Sequence, residues 1–376
     1  MMKNKKTDQP TPKISGTMWW IFSSFSFVLL MLFVFSLQRL FSLFPSFVET
    51  VYSTKIFRFL SIPVSFISSL FPFSLTEIAL FMSGPALILL VVLFILQMVR
   101  SKDRRHAVVK DIKRVGWTLS ILYLVFMLML GFNYARLPIN TTIGIETLPR
   151  AKEDLLAVCR ILLDGTNAAR LESKEVDGVM VLRNGIPHAL ETAYKGFDAV
   201  SSVYPVLQGP PRRAKGVMVS GIWSYTGITG MFFPFFVEAN VNIDSPPLFL
   251  PNTILHELAH TRGIAREDEA GFVAFLTGIH HPDNDFRYSS FLSAYIQTSN
   301  ALYSVDKAAY ADLNKDLSDA VKRDLDANSA YWKKFEGPVQ DVSTSVNNAY
   351  LQSNMQVDGV QSYGRSVDLI LGYYLS

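Results

Sequence analysis

The sequence predicts an α+β chain in which three membrane-spanning helices, in residues 1–138, precede a mostly helical domain with a small sheet, in residues 139–376. Three observations predict it. The long uncharged apolar stretches are confined to the first part, the two parts carry opposite net charge, and the second part mixes helical stripes of apolar residues with short strand-like runs.

Charge makes the division plain. Residues 1–138 hold 15 Lys/Arg and 5 Asp/Glu, a net of +10, whereas residues 139–376 hold 20 and 27, a net of −7. A basic apolar part followed by an acidic one reads as a membrane region and a separate domain. The basic residues flank apolar stretches and form no patch interleaved with stacking aromatics, so nucleic-acid binding is excluded. The single cysteine, Cys159, allows neither an intrachain disulfide nor a cysteine-built metal site, and reads as helix packing.

The first span is expected at residues 14–38, which are uncharged and carry Trp19 and Trp20 near one end. That stretch exceeds the roughly 20 residues that cross a bilayer as a helix. It is longer than a signal-peptide core and lacks a small-residue cleavage site, so it is read as a retained anchor. The second span is expected at 78–99 and the third at about 115–134. Between them lie Arg100, Lys102, Arg104, Arg105, Lys110, Lys113 and Arg114, a short basic loop that belongs on the cytoplasmic side. The N-terminal tail, with Lys3, Lys5, Lys6 and Lys13, belongs there too. These signals place a multi-pass protein in the cell membrane, with residues 139–376 outside the cytoplasm. Residues 59–75 are uncharged but short and broken by Pro63 and Pro72, and are read as an interfacial or re-entrant part of the first external loop.

The chemistry lies in His256-Glu257-Leu258-Ala259-His260. Good helix formers surround it, Asn252 or Thr253 can cap its start, and Gly263 suits its end. Positions i and i+4 share one helix face, so both imidazoles can reach one metal ion. Glu257 can hold the attacking water and take its proton, the role this pattern gives the Glu in zinc peptidases. Two of the chain's six histidines fall in this pattern. His188, His280 and His281 sit in expected loops beside prolines and are read as surface residues.

A catalytic zinc takes three protein ligands and keeps one position open. A second helix is expected from Ile264 to Leu276, folded back at Gly263 so that its first turn faces the histidines. Glu267 and Glu269 are the candidates for the third ligand, about 200° apart on the helical wheel, so one of them faces the metal. Glu267 is the first choice and Glu269 the alternative.

Several separated stretches then resemble a known family. They are Gly227 to Pro234, Glu238 to Asn242, His256 to His260 with Glu267 to Ala270, Arg287 to Ser289, and Asp358 to Arg365. In this order they resemble DUF3810, a family of bacterial membrane proteins with a zincin-like domain. The resemblance implies a zincin-type metallohydrolase with Zn2+ and no stated substrate. Glu267-x-x-Ala270 is also similar to the third-ligand motif of a broader class of membrane zinc proteases, in which the first Glu binds the metal. That class has Asp next and DUF3810 usually Asn, but this chain has Gly271, so a contact expected there is missing or comes from elsewhere.

Val217 to Ser220 and Met231 to Val237 read as strands, the second confined to a sheet edge by Pro234. Zinc peptidases add an extended substrate to such an edge, and Glu238, Asn240 and Asn242 are candidates to line it. Tyr363 is the nominated oxyanion donor, with Tyr288 and Arg365 as alternatives. Residues 151–208 and 289–335 read as helical packing. The expectation is a membrane-anchored zinc peptidase acting on an extracytoplasmic peptide or protein. Its alternative is a zinc-stabilised sensor or scaffold without turnover. The site helix is too short and too interrupted by prolines to cross the bilayer itself. Nothing in the sequence indicates an oligomeric state.

Overall fold

The computed structural model describes residues 25–148, 150–354, 356 and 365–376. Most of them are helical, and the sheets are small. Helix α1 (Ser26–Ser42) is followed, after a bend of 101°, by α2 (Pro45–Ser69), which includes π-helical turns over Val48–Ile56. Residues 14–24 of the first expected span lie outside the described residues.

Among the described residues, two helices are long and apolar enough to cross a membrane, α3 (Leu75–Arg100) and α4 (Arg104–Met129). The bent pair α1–α2 adds a third if it is one broken span. The sequence marks the ends of α3 and α4 with side-chain caps: Ser74 accepts from the Glu77 N–H and Asp103 from the His106 N–H. A 3-10 turn, Gly131–Ala135, follows α4.

The stretch before α3 is folded onto the later part of the chain. Phe57 packs near Gly263, Ser53 donates to Asn133, and Arg136 forms a buried pair with Glu49 at 2.7 Å and donates to the Gly263 carbonyl. Residue 138 therefore divides the chain by charge but not by packing.

The principal core lies among α5 (Lys152–Leu171), α7 (Leu250–His260), α8 (Glu267–Ile279), α9 (Asn284–Val305) and α11 (Ser366–Leu375). The helices expected in 151–208 and 289–335 are present, with a two-residue hairpin, Glu175–Val176 with Val179–Met180, inserted in the first region. Cys159 is buried in this core.

One three-stranded sheet flanks α7, in the order β1 (Lys215–Gly216), β3 (Glu238–Val241), β2 (Gly230–Phe233). β3 is central, parallel to β1 and antiparallel to β2, with Met231 opposite Asn240. This corrects two expectations. Val217 to Ser220 is not a strand: β1 ends at Gly216, and Ser220 opens the short helix α6 (Ser220–Thr226). Of Met231 to Val237, only the first three residues are in β2, because Pro234 to Val237 form a turn closed by the Val237 N–H on the Pro234 carbonyl.

Candidate metal centre

α7 begins earlier than its polar residues suggest. Pro251 occupies its first turn, where a missing N–H costs nothing. Asn252 and Thr253 are therefore inside the helix, and the Asn252 N–H is met by Ser289 Oγ instead of capping the start. The helix ends as expected at Gly263, whose φ of +81° suits glycine and whose N–H bonds the His260 carbonyl. The chain turns there and α8 begins at Glu267, three residues later than the expected Ile264.

That turn brings three side chains together. His256 Nε2 lies 3.0 Å from Glu267 Oε2, His260 Nε2 lies 3.6 Å from the same oxygen, and the two Nε2 atoms are 3.2 Å apart. A tetrahedral ion with bonds of about 2.0–2.1 Å spaces its ligand atoms about 3.3–3.4 Å apart. The three separations bracket that value, so this donor set fits such an ion. The ring of His260 is oriented for it. Its Nδ1 is 2.7 Å from the Ile264 carbonyl, which can only accept, so Nδ1 carries a proton, and in the neutral ring that a metal ion would bind Nε2 would present its lone pair to the cluster. The Ile264 carbonyl thus orients a histidine without help from position 271, where Gly271 has no side chain to offer.

The electrostatics are those of a coupled buried cluster. Burial opposes a charge on Glu267, but His260 and His256 outweigh it and hold the carboxyl well below its usual range. Burial likewise opposes a charged His260, yet Glu267 beside it raises the imidazole to about 9. Glu257 is pushed up to about 7 by burial, against the pull of the two histidines.

Glu257 is set by β2. Thr229 accepts from the Asn242 N–H, so in the antiparallel ladder residues 229, 231 and 233 face β3 while 230 and 232 turn their backbone outward. The outward Phe232 N–H faces the Glu257 carboxylate and favours its charged form. Gly230 lies so close that a Cβ there would meet Glu257 Oε1 at 2.5 Å. The Phe232 ring covers His260 at 5.9 Å between centroids.

A cavity of about 750 Å³ opens over this cluster. Its walls come from the C-terminal end of α4, from β2 and the turn after it, and from α10 (Pro338–Ser353). Tyr350 of α10 and Tyr134 both line it, close enough for the Tyr134 hydroxyl to act on that of Tyr350. Burial of its hydroxyl pushes Tyr350 up to about 12, with the nearby Glu267 charge adding to the rise. No local pattern marks Tyr350. Its only sequence signal is an aromatic in an amphipathic helix.

Other candidates fall elsewhere. Glu269 is buried on the far side of α8, accepting from the Ile139 N–H and from Arg266, with no histidine in reach. Glu238 and Asn240 are on the central strand, not the edge, Asn242 follows directly after it, and all three are buried. Glu238 accepts from the Thr76 N–H and hydroxyl, the Leu75 N–H and Lys215, while Asn240 accepts from Ser74 and Asn242 donates to the Ile228 carbonyl. Glu238 and Asn240 join the sheet to the start of α3, Asn242 ties it to Ser224 and Ile228, and with these partners all three are taken up inside the fold, away from a substrate groove. Tyr288 is buried with its hydroxyl on Asp324, in a pair with Arg170. Arg365 meets Asp268 at 3.4 Å. Tyr363 lies outside the described residues. His281 is buried, stacked on Phe286 at 3.9 Å, where a surface residue was expected.

The sequence profile of DUF3810, described as a protein of unknown function, matches residues 52–371. The chain belongs to the DUF3810 family. The DUF3810 match takes in most of α2, both long apolar helices and the whole candidate centre. No curated protein and no solved structure matches the chain.

Proposed function

We propose that this chain is a membrane-anchored, zinc-dependent hydrolase of zincin type, a peptidase acting on peptide or protein substrates outside the cytoplasm. The observation that carries the reading is the trio His256, His260 and Glu267, spaced as a tetrahedral ion requires, with Glu257 held beside it. When bound, zinc supplies Lewis-acid polarisation of the scissile carbonyl.

The chain's own residues account for the remaining steps. Glu257 accepts a proton from the water that attacks the carbonyl carbon and passes it to the amine released as the C–N bond breaks, the work of a general base and then acid. The Phe232 N–H and the bare Cα of Gly230 hold its carboxylate in place. The outward edge of β2 offers backbone groups to an extended substrate, and Tyr350 offers a hydroxyl to the oxygen that gains charge.

The test uses the full chain purified in detergent. One zinc per chain is expected, lost in His256→Ala and kept in Glu257→Gln. Hydrolysis of a quenched fluorogenic peptide mixture should fall at least about 100-fold in Glu257→Gln, the low end for loss of a general base. If Glu257→Gln keeps both zinc and the wild-type rate, the mechanism is wrong.

A further inference from the structure

The cavity has an unusual wall. Phe126 and Leu130, which line it, belong to the end of the apolar helix α4. The last charged residue of that helix is Arg114. Counting a rise of 1.5 Å per residue, Phe126 and Leu130 lie about 18 and 24 Å beyond it. The hydrocarbon layer of a bilayer is about 30 Å thick. If α4 spans, the cavity wall is therefore level with the outer half of the lipid.

The two long apolar helices also part from one another. They meet near their shared turn, where the Gln97 side chain donates to the Ala107 carbonyl and to Asp111. Above that, none of the apolar window of α3 is covered by the rest of the chain. Their far ends are fastened to different places. The start of α3 sits on the sheet, with Glu77 accepting the Met218 and Val219 N–H groups and Thr76 bonded to Glu238. The end of α4 packs against Phe232, Val237 and Ala265. Met231 and Phe233 share the sheet face of Glu238 and Asn240, the face on which α3 begins, and the cavity reaches both of them. The cavity thus lies against the end of α4 and reaches the sheet face on which α3 begins, although no residue of α3 itself lines it.

Its chemistry is equally specific. Among the described residues, no lining side chain apart from His256, His260, Glu257 and Glu267 carries charge, and Met231, Phe233, Phe235 and Val346 add to the apolar wall from α4. Such a lining favours apolar residues on either side of the bond to be cut, with Thr229, Ser343, Thr344 and Asn347 among its uncharged polar groups.

Resting on the peptidase reading, we infer that the substrate is the apolar stretch of a membrane protein that continues directly from its own span. It enters from the lipid side, between α3 and α4, and pairs as an extended strand with β2. A free, water-borne peptide lacks the high local concentration that a span gives to a stretch at this depth.

The experiment places the full chain with zinc in liposomes and offers one randomised library of eight-residue segments in two forms. In one the segment follows a 20-residue leucine–alanine span in the same liposomes. In the other it follows a soluble glycine–serine chain. Products are read by mass spectrometry, with Glu257→Gln as control. The inference expects the span-borne library to be cut at least ten-fold faster, within a few residues of the span and between apolar residues. Equal rates in the two forms overturn the inference and leave the peptidase reading intact. No cutting of either form, or equal cutting by Glu257→Gln, overturns both. An independent measurement needs no turnover. A nitroxide on Val346→Cys, with the buried Cys159 unlabelled, should relax with lipid-dissolved oxygen and not with an aqueous nickel chelate. The reverse pattern places the cavity mouth in water and overturns the inference.

Discussion

Gly230 and Glu257 show how closely the candidate centre is fitted. A glycine in a strand weakens it unless something must come near, and what comes near here is a carboxylate that a Cβ would meet at 2.5 Å. Gly230→Ala should displace Glu257 without touching the histidines. Hydrolysis is expected to drop at least about ten-fold, since proton transfer depends on hydrogen-bond reach, while zinc content stays at the wild-type level. The two acidic candidates on α8 separate in the same way. Glu267→Gln should weaken zinc binding at least about 100-fold, more than the loss of an outer contact would. Glu269→Gln, whose partners are the Ile139 N–H and Arg266, should keep the metal and lower the unfolding temperature. Equal metal loss in both variants would refute the assignment. The sequence showed His256, Glu257 and His260 because i, i+4 spacing on a helix fixes a shared face whatever the fold. It left Glu267 and Glu269 open because wheel position alone does not say which side of α8 meets α7. It hid Tyr350, since nothing local ties that residue to a site brought to it by folding.

Glu238 belongs to the scale of elements. Its carboxylate receives the first N–H groups of α3 and the Lys215 ammonium, which also donates to the Ser68 carbonyl. Lys215 is almost wholly buried, and burial lowers its pKa while Glu238 pulls it back up. Removing one member of a buried pair leaves an uncompensated charge and costs about 3–5 kcal/mol. Glu238→Ala should therefore unfold at markedly lower temperature in detergent, and the double variant with Lys215→Met should recover much of the loss. A single variant as stable as the wild type would show that this junction is not a fixed point. The extent of α3 was legible from its uncharged run, expected at 78–99 and found at Leu75–Arg100. α4, expected at about 115–134, instead runs from Arg104 to Met129, because the charged residues after Asp103 join the same helix and a 3-10 turn takes over at Gly131. The place of β3 was not legible, because Glu-Ala-Asn-Val-Asn has the composition of an exposed edge. The partners that fold around it, Ser74, Leu75 and Thr76 from the start of α3 and Lys215 from β1, allow its polar residues to be central and buried.

At the scale of the whole molecule, charge and packing constrain topology together. α3 and α4 form a hairpin whose turn is rich in Lys and Arg, and short basic loops stay cytoplasmic. If both helices span, residues before Ser74 and after Leu130 emerge on the same outer side. The packing agrees with this, since Phe57 lies against Gly263 and Glu49 pairs with Arg136 across those two regions. α2 therefore lies on the side of the metal centre, and the basic N-terminal tail reaches the cytoplasm only if the stretch containing α1 crosses the membrane. The 101° bend after α1 is where such a crossing would give way to the interfacial course of α2. A reporter enzyme that needs disulfides to mature folds only outside the cytoplasm. Joined after Ser376 it should be active, and inserted between Lys102 and Asp103 it should be inactive. Joined to the N-terminal tail, the same reporter should be inactive as well. An active N-terminal fusion with an active C-terminal one would mean that α1 does not cross and that the protein holds its metal centre on a two-helix anchor. Activity of the insertion at Lys102 would invert the whole arrangement and bring the centre inside the cell.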